Sequence, residues 1–259
     1  MTVPQIPVFT YTFERLRAEV YATRDALGQA AAAAVATRMR AILAQQPRVR
    51  MIFAAAPSQN EFLAALSRMP DLEWARVEAF HMDEYVGLAG GAPASFACFL
   101  RERLFGLVQP GRVEYLNGAA PDAQAECERY AALLAERPVD IVCAGIGENG
   151  HMAFNDPHVA DFADLEMVKL VAMDEVCRMQ QVHDGAFPAL AAVPTTALTL
   201  TIPALIAARY LYCMVPGPTK TAAVRRTCHE AIAEACPATL LRRHAQAVLY
   251  LVGASAAAL

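Results

Sequence analysis

The chain of 259 residues lacks the patterns that mark several classes of protein. Charged residues make up only 19% and the net charge is −4, with no basic stripe that would predict binding to nucleic acid. The first 20 residues show no basic segment followed by an apolar one, which argues against a signal peptide. No apolar segment reaches membrane-spanning length without charges. We therefore predict a cytoplasmic protein with no nucleic-acid or membrane partner.

Cysteine is present, but its spacing does not indicate a metal site or a disulfide framework. The seven cysteines are odd in number, include no Cys-x-x-Cys pair, and several lie inside apolar runs. This pattern is typical of reduced, mostly buried thiols in a cytosolic protein. We predict neither a zinc site nor a disulfide.

The apolar residues, at 56%, are enough for a large core and alternate between helix-like and strand-like patterns. The 3.6-residue period predicts helices over residues 12–46 (with a break at Gly28), 58–68, 96–107, 121–135, 174–182, 219–233 and 238–244. Short β-rich runs predict strands over residues 48–56, 74–82, 139–144, 167–172, 196–201, 210–215 and 248–252.

Strands that are separated by helices in this way predict right-handed βαβ crossovers and a largely parallel sheet. No linker rich in Pro, Gly or Ser divides the chain, and no internal repeat is visible. The prediction is a single α/β domain over residues 1–259, doubly wound, with a mostly parallel Rossmann-like sheet and helices on both faces.

The segment DIVCAGIGENGHMAFNDP, residues 140–157, is the strongest functional signal in the chain. A buried strand runs into a Gly-x-Gly turn at Gly145 and Gly147, followed by Asn149, His151 and Asp156. Ligands bind beyond the carboxyl ends of parallel strands, and histidine suits general acid–base work near neutral pH. A nearby carboxylate would fix the tautomer of the ring and raise its pKa. The residues predict an active site, although a structural loop with one satisfied histidine is the plain alternative.

The segment AAAPSQNEFLAAL, residues 54–66, joins a predicted strand to a predicted helix. Ser58 and Glu61 have the spacing of a capping box, in which each side chain bonds the other's backbone N–H. A phosphate site at the helix N-terminus is the functional alternative. The local sequence favours the cap, because the loop has no glycine and the Glu61 carboxylate would compete with an anion.

Two further segments follow predicted strands and carry charged groups. In AFHMDEYVGL, residues 79–88, the alternation of side chains allows His81 and Asp83 to share a face while Glu84 points elsewhere. Asp83 would be a useful general base there, although adjacent acids often form only a solvated turn. In VPGPTKTAAV, residues 215–224, Lys220 opens a helix against the favourable sign of its dipole. That placement predicts an anionic partner such as phosphate, with a solvated lysine as the alternative.

The stretches HMDEYVGL, GIGENGHMAFNDP, VPTTALTLTIPAL and VPGPTKTAAV together resemble the glucosamine-6-phosphate deaminase (isomerase) family, within the wider group that includes 6-phosphogluconolactonase. The resemblance runs in order from about residue 48 to residue 252. The lactonase branch would have Asp-Glu-Arg at residues 83–85 and Gly-His-Thr-Ala-Ser at residues 150–154. This chain follows the deaminase pattern at both places.

The resemblance implies a role for each matching residue. Asp83 would be the base that moves a proton between C1 and C2 of the open-chain sugar, and His151 would open the ring. Asn149 and Asp156 would be the partners of His151. Lys220 would bind phosphate, and the backbone from Gly145 to Gly147 would line the sugar site. The family needs no metal and no organic cofactor for this chemistry.

The chain departs from the family pattern mainly where phosphate would bind. The family has a turn rich in glycine and threonine where residues 54–59 read AAAPSQ, so only Ser58 keeps a hydroxyl. The expected phosphate-binding arginine falls at Gln180 or Gln181, with Arg178 close enough in sequence to substitute. Asp156 stands where the family normally has Glu, which shortens the side chain by one methylene.

These observations predict a deaminating aldose–ketose isomerase that acts on an amino-sugar phosphate like glucosamine 6-phosphate and releases ammonia. The altered loop leaves the sugar itself open, including whether it carries phosphate. Two other functions are weighed against it: a phosphosugar lactonase, with His151 as the base for an attacking water, and a catalytically silent sugar-phosphate sensor. A homo-oligomer is compatible with the family, whose members occur as monomers and as larger assemblies.

Overall fold

The computed structural model describes residues 5–88 and 91–259. The strands are β1 (Phe9–Phe13), β2 (Leu16–Tyr21), β3 (Val49–Phe53), β4 (Val77–His81), β5 (Asp83–Tyr85), β6 (Arg112–Glu114), β7 (Ile141–Ala144), β8 (Val168–Ala172), β9 (Thr196–Leu200), β10 (Tyr210–Val215) and β11 (Ala247–Val252). The α-helices are α1 (Arg24–Leu43), α2 (Asn60–Ser67), α3 (Phe96–Leu100), α4 (Gly106–Val108), α5 (Ala123–Ala135), α6 (Glu175–His183), α7 (Ile202–Ile206) and α8 (Thr221–His229).

Eight strands form one sheet in the order β1-β2-β11-β10-β7-β3-β4-β6, and every neighbouring pair except β1 and β2 is parallel. Side chains alternate between its two faces, as β3 illustrates: Met51 and Phe53 join the apolar cluster under α1 and α2, whereas Ile52 joins the cluster under α5, α7 and α8. Helices therefore cover both faces of a mostly parallel sheet, which confirms the predicted α/β class.

The prediction of a helix from residue 12 was wrong. Residues 9–21 form an antiparallel hairpin in which Phe9 pairs with Val20 and Phe13 pairs with Leu16. Its turn places Glu14 at a φ of 52°. The aromatic and threonine residues of β1 suit a pleated strand, and β2 gains a second partner by pairing in parallel with β11. The helix begins only at Arg24, after Thr23 caps it by accepting a hydrogen bond from the Ala26 N–H at 3.1 Å.

The predicted break at Gly28 is also wrong, because α1 runs without interruption to Leu43. Gly28 instead lets α2 come close, since a Cβ at this position would lie 2.6 Å from the backbone carbonyl carbon of Glu61. Beside this contact, the Arg24 guanidinium donates to both carboxylate oxygens of Glu61 at 2.8 and 2.9 Å. The close contact at Gly28 and the ion pair between Arg24 and Glu61 together hold α1 against α2.

The strands predicted at residues 167–172 and 196–201 exist, but they do not belong to the parallel sheet. β8 and β9 pair antiparallel and β5 pairs antiparallel with β9, which makes a separate three-stranded sheet. β8 buries Val168 and Val171 but leaves Leu170 and Ala172 exposed, which suits a small sheet at the surface. β4 and β5 are separated by Met82 alone, so the chain passes from the large sheet to the small one directly before Asp83.

Smaller differences between prediction and structure concern the last two helical segments. α8 ends at His229, earlier than the predicted residue 233, and the segment predicted as helix at 238–244 is a 3-10 helix, Pro237–Arg243.

In the ranges 5–88 and 91–259, no helix is both long and apolar enough to span a membrane. All seven cysteines are free and buried, as predicted.

We expect Gly28→Ala to destabilise the protein, although alanine is the better helix former by ~1 kcal/mol. The added methyl group would meet the Glu61 backbone, which cannot rotate away, and such overpacking costs about 1–3 kcal/mol or more. The exposed Ala33→Gly variant of α1 is the matched control for propensity and should cost about 1 kcal/mol. Urea unfolding followed by circular dichroism measures both; a Gly28→Ala protein more stable than wild type would contradict the close approach of α1 and α2.

Candidate active site

A solvent-open cleft lies beyond the carboxyl ends of β3, β4, β7 and β10, where ligands bind in open α/β sheets. It brings together residues from six separate segments of the chain. The lining residues are Ala54, Ala55, Ala56, Ser58, Met82, Asp83, Phe96, Gly145, Ile146, Gly147, His151, Ala153, Phe154, Gln180, Gln181, Asp184 and Lys220.

His151 is held at the cleft by the turn that precedes it. The Gly147 N–H donates to the His151 carbonyl at 2.9 Å, and the Asn149 side-chain oxygen accepts from the His151 N–H at 3.0 Å. The imidazole packs directly on Gly147, where a Cβ would lie 2.1 Å from the ring. Gly150 adopts a φ of 91°, which favours glycine. The glycines of this segment are therefore needed to seat the histidine.

Asp156 is fully buried behind His151, with its Oδ1 atom 3.0 Å from the ring Nδ1. The same oxygen accepts from Asn149 Nδ2 at 2.9 Å, and Oδ2 accepts from the Asp174 N–H at 3.1 Å. Burial alone would raise the pKa of Asp156, but the bonds from His151, Asn149 and the Asp174 backbone bring it below its usual range. Asp156 is therefore an ionised carboxylate that orients His151, and the ring Nε2 is left for the cleft.

Asp174 also contributes to this network, and the sequence reasoning did not identify it. Its side chain accepts from Asn149 Nδ2 at 3.0 Å and from the Cys177 N–H at 2.6 Å, so it caps α6 as well. The sequence signal was an aspartate as the first residue of the helix predicted over residues 174–182.

Asp83 lies where the chain crosses from the large sheet to the small one. Its backbone pairs with Thr199 of β9, and its side chain is buried at the cleft wall. Burial raises the pKa of the Asp83 carboxyl well above its usual value, and the charge of Glu84 raises it further. A carboxylate in such surroundings is a stronger base than one in water.

The neighbours of Asp83 have structural roles. His81 is fully buried outside the cleft lining, and burial lowers its pKa to about 3; its neutral ring accepts from the Leu116 N–H at 2.8 Å. Glu84 points away from the cleft, as predicted, and accepts from the N–H groups of Phe96 and Ala97 at 3.1 and 3.0 Å. Burial raises the pKa of Glu84 to about 7 despite these bonds. Glu84 thus fixes the start of α3 and with it Phe96, which lines the cleft.

Lys220 is buried at the opposite wall, in the 3-10 turn that leads into α8. Its Nζ atom lies 3.6 Å from Glu148 Oε1, and neither atom has a hydrogen-bond partner among the residues that the structure describes. Burial lowers the pKa of Lys220, while the charges of Asp184 and Glu148 act in the opposite direction. An ammonium group with three unused donors is available to oxygen atoms of a ligand.

The capping box predicted at Ser58 and Glu61 is wrong. Ser58 lies within a 3-10 turn, Pro57–Gln59, and its hydroxyl accepts from Gln59 Nε2 at 3.0 Å, while Glu61 is engaged by Arg24. The Ser58 side chain and Gly145 do line the cleft, as predicted. A Cβ on Gly145 would lie 3.2 Å from Gln59 Nε2, so this glycine keeps the loops after β3 and β7 close.

Arg178 does not line the cleft and does not replace the missing family arginine. Its guanidinium donates to the carbonyls of Leu190 and Val193 at 2.8 and 3.0 Å. Gln180 and Gln181 occupy the cleft wall instead: Gln180 Oε1 accepts from the Glu148 N–H at 2.8 Å, and Gln181 Oε1 accepts from the Tyr85 hydroxyl at 2.6 Å. Both glutamine oxygens are thus already used within the protein.

One group of side chains near the site has the types of atom that metals bind. His151, Asp156 and Cys177 place ligand atoms within 4.8 Å of one another. Burial raises the pKa of the Cys177 thiol well above its usual value, and the charge of Asp156 raises it further. A protonated thiol beside an already bonded carboxylate is a poor ligand set, because metals bind the thiolate. The group is better described as the hydrogen-bonded support of His151.

Comparison with known proteins agrees with this geometry. A family model described as glucosamine-6-phosphate isomerases/6-phosphogluconolactonase matches residues 22–250. Proteins named glucosamine-6-phosphate deaminase from Bacillus cytotoxicus and Bacillus thuringiensis both align with 68% of this chain, at 35% sequence identity. The aligned region spans 66% of the length of each of these relatives.

Solved structures give the same result. A monomeric glucosamine-6-phosphate deaminase of the NagB superfamily superposes with a TM-score of 0.86 at 27% identity, over 93% of this chain and 99% of that one. A 6-phosphogluconolactonase from Shewanella baltica shares the fold, with a TM-score of 0.75 at 19% identity over 93% of this chain and 98% of its own. The chain belongs to the glucosamine-6-phosphate isomerase/6-phosphogluconolactonase family.

Proposed function

We propose that this protein is a deaminating aldose–ketose isomerase that converts an amino-sugar phosphate like glucosamine 6-phosphate, with one water, into a ketose phosphate and ammonia. The observation that carries the proposal is that a buried carboxyl, Asp83, and a carboxylate-supported imidazole, His151, line one cleft. An isomerase of this kind needs one group for the ring oxygen and another for the carbon-bound proton. The names of the relatives at 35% and 27% identity support the same reaction.

His151 would begin the reaction by opening the sugar ring. In our proposal its protonated Nε2 gives a proton to the ring oxygen as the C1–O bond breaks, and the same nitrogen takes the proton of the C1 hydroxyl, which leaves an aldehyde and restores His151. Asp156 supports this step because its negative charge, 3.0 Å from Nδ1 of His151, stabilises the protonated imidazole.

Asp83 would then move a proton between carbons. Its carboxylate removes the C2 proton of the open-chain amino aldehyde while the C1 oxygen takes up a proton, which gives an enol. Return of the held proton to C1, with loss of one N–H proton that balances the proton taken up by the oxygen, converts the amine at C2 into an imine. Water adds to that imine and ammonia leaves, so that the products are the ketose phosphate and ammonia. The raised pKa of Asp83 favours this role, since the group holds the proton between the two steps.

Lys220 and Ser58 would hold the far end of the substrate, and the Gly145–Gly147 backbone would follow the sugar. We further propose that the reaction needs no metal or organic cofactor and takes place in the cytoplasm. Seven buried free thiols are compatible with that compartment.

Asp83→Asn should abolish turnover, because the amide keeps the shape of the side chain but cannot accept a proton. Loss of a general base costs about 10²–10⁴ in rate. The assay follows ammonia from glucosamine 6-phosphate, with the exposed Asp161→Asn variant as the control for loss of one charge.

The same assay with glucosamine 6-phosphate deuterated at C2 separates the isomerase from a lactonase. Asp83 should move this deuterium to C1 of the product or release it to solvent, whereas hydrolysis of a lactone moves no carbon-bound hydrogen. Full activity of Asp83→Asn, or turnover in which the C2 deuterium is not moved, would count against the assigned mechanism.

The stability of the protein should reveal the buried carboxyl independently of activity. In the unfolded chain Asp83 ionises near its usual pKa of 3.8, but burial holds the pKa of folded Asp83 well above that value. Between these two pKa values the folded state binds more protons, so Asp83 lowers the free energy of unfolding as pH rises. The Asp83→Asn variant lacks this effect, so its stability relative to wild type should increase as pH rises above the usual pKa of 3.8. Urea unfolding at a series of pH values measures the difference; a difference independent of pH would contradict the burial of an ionisable group.

A further inference from the structure

We propose that the Lys220 end of the cleft, meaning Lys220, Glu148 and Asp184, is built to receive a hydroxyl group, so that unphosphorylated amino sugars such as glucosamine are substrates alongside their phosphates. This inference rests on the proposed function and concerns which substrates the same site accepts. It follows from the charges and hydrogen-bonding groups that surround Lys220.

Lys220 is the group at this end that is free to bind a ligand. Its side chain is 8% exposed, and its ammonium has no hydrogen-bond partner in the described ranges. A buried donor left without a partner destabilises the folded protein, so a ligand oxygen in this position would be stabilising.

Two carboxyl groups accompany this single ammonium. Glu148 Oε1 lies 3.6 Å from Nζ and is likewise buried without a hydrogen bond, and Asp184 lines the cleft beside Lys220. Burial raises the pKa of Asp184, and the charge of Lys220 acts in the opposite direction. The other Glu148 oxygen lies 3.4 Å from Nδ1 of the half-exposed His183. The Lys220 charge is therefore already balanced by acids of the protein.

A hydroxyl group suits this arrangement better than a phosphate does. A hydroxyl can accept from Lys220 and at the same time donate to a carboxylate, whereas a phosphate dianion only accepts. Placing a dianion here would bring it against Glu148 and Asp184. Like charges brought this close together in a partly buried site repel strongly.

Three backbone positions of the loop after β3 cannot donate to a phosphate. The Ala54 N–H is used by the Cys143 carbonyl at 2.8 Å, the Gln59 N–H by the Ala56 carbonyl at 2.9 Å, and Pro57 has no N–H. The Ser58 hydroxyl is the loop's side-chain donor at the cleft. The Gln180 and Gln181 side chains stand where the resemblance places an arginine, and they are neutral.

The test compares glucosamine with glucosamine 6-phosphate at pH 8, where the phosphate is a dianion because its second pKa is about 6. We expect kcat/KM of the wild type for the two sugars to differ by no more than about tenfold. In the double variant Glu148→Gln/Asp184→Asn, which removes both negative charges and keeps the side-chain shapes, the preference for the phosphorylated sugar should rise by at least about tenfold, mainly through its KM.

Glu175→Gln is the matched control, because it removes an exposed carboxylate from α6 outside the cleft. It should leave the ratio of the two kcat/KM values at the wild-type level. A double variant that loses activity equally on both sugars would show a general structural role and overturn the inference. So would a wild-type preference of a hundredfold or more for the phosphate, although the proposed reaction would then stand.

Calorimetric binding of both sugars separates the inference from the proposed function. Similar affinities without any ammonia release would reject the proposed reaction and uphold the hydroxyl site. Tight binding of the phosphate alone would overturn the hydroxyl site whether or not turnover occurs. If neither sugar binds at millimolar concentration, both proposals are rejected.

Discussion

The parallel hydrogen-bond ladder that joins β3, β7 and β10 sets the positions of most groups in the cleft. Met51 pairs with Ile141, which also pairs with Tyr210, so the three strands run in register and end at one edge. Hydrogen-bonded strands lie about 4.8 Å apart, so loops that leave them side by side must share one space. Ser58, the turn before His151 and Lys220 belong to those three loops. The pairing of the three strands therefore brings these groups together. The glycines and turns of each loop only have to orient its own side chain toward the shared cleft.

The small antiparallel sheet adds the constraint that the ladder cannot supply, because Asp83 and His151 leave the large sheet in different directions. Asp83 pairs with Thr199 in the backbone, and the Thr199 hydroxyl accepts from the Phe154 N–H at 3.0 Å. The buried Asn155 then donates to the Leu200 carbonyl at 2.7 Å. A single strand, β9, therefore holds both the segment of the base and the segment of the imidazole. Rigid supports of this kind are what keep reacting groups at a productive distance.

The sequence predicts the parts of the molecule whose signals are local. Buried runs such as IVCA identify the strands of the parallel sheet, and the polar residues after them identify Asp83, His151 and Lys220 as cleft residues. Prediction from the sequence fails where a residue far away in the chain determines which contact a side chain makes. Arg24 takes the Glu61 carboxylate from the expected capping box, and the carbonyls at Leu190 and Val193 take Arg178 away from the cleft. The membership of β8 and β9 in a second sheet is likewise a matter of tertiary pairing, which no residue pattern specifies.

Burial has the same electrostatic effect on Asp83 and on Lys220, the two ionisable groups that line different parts of the cleft. Burial acts against the charged form on both sides, raising the pKa of Asp83 and lowering the pKa of Lys220. Asp156 differs, since its hydrogen bonds more than offset its burial and hold it as an ion. Of the three groups, Asp156 is therefore the one whose charge is stabilised by hydrogen bonds. The reaction gives Asp83 a proton, and the sugar gives the unused Lys220 donors an oxygen, so that substrate relieves a cost already present in the folded protein.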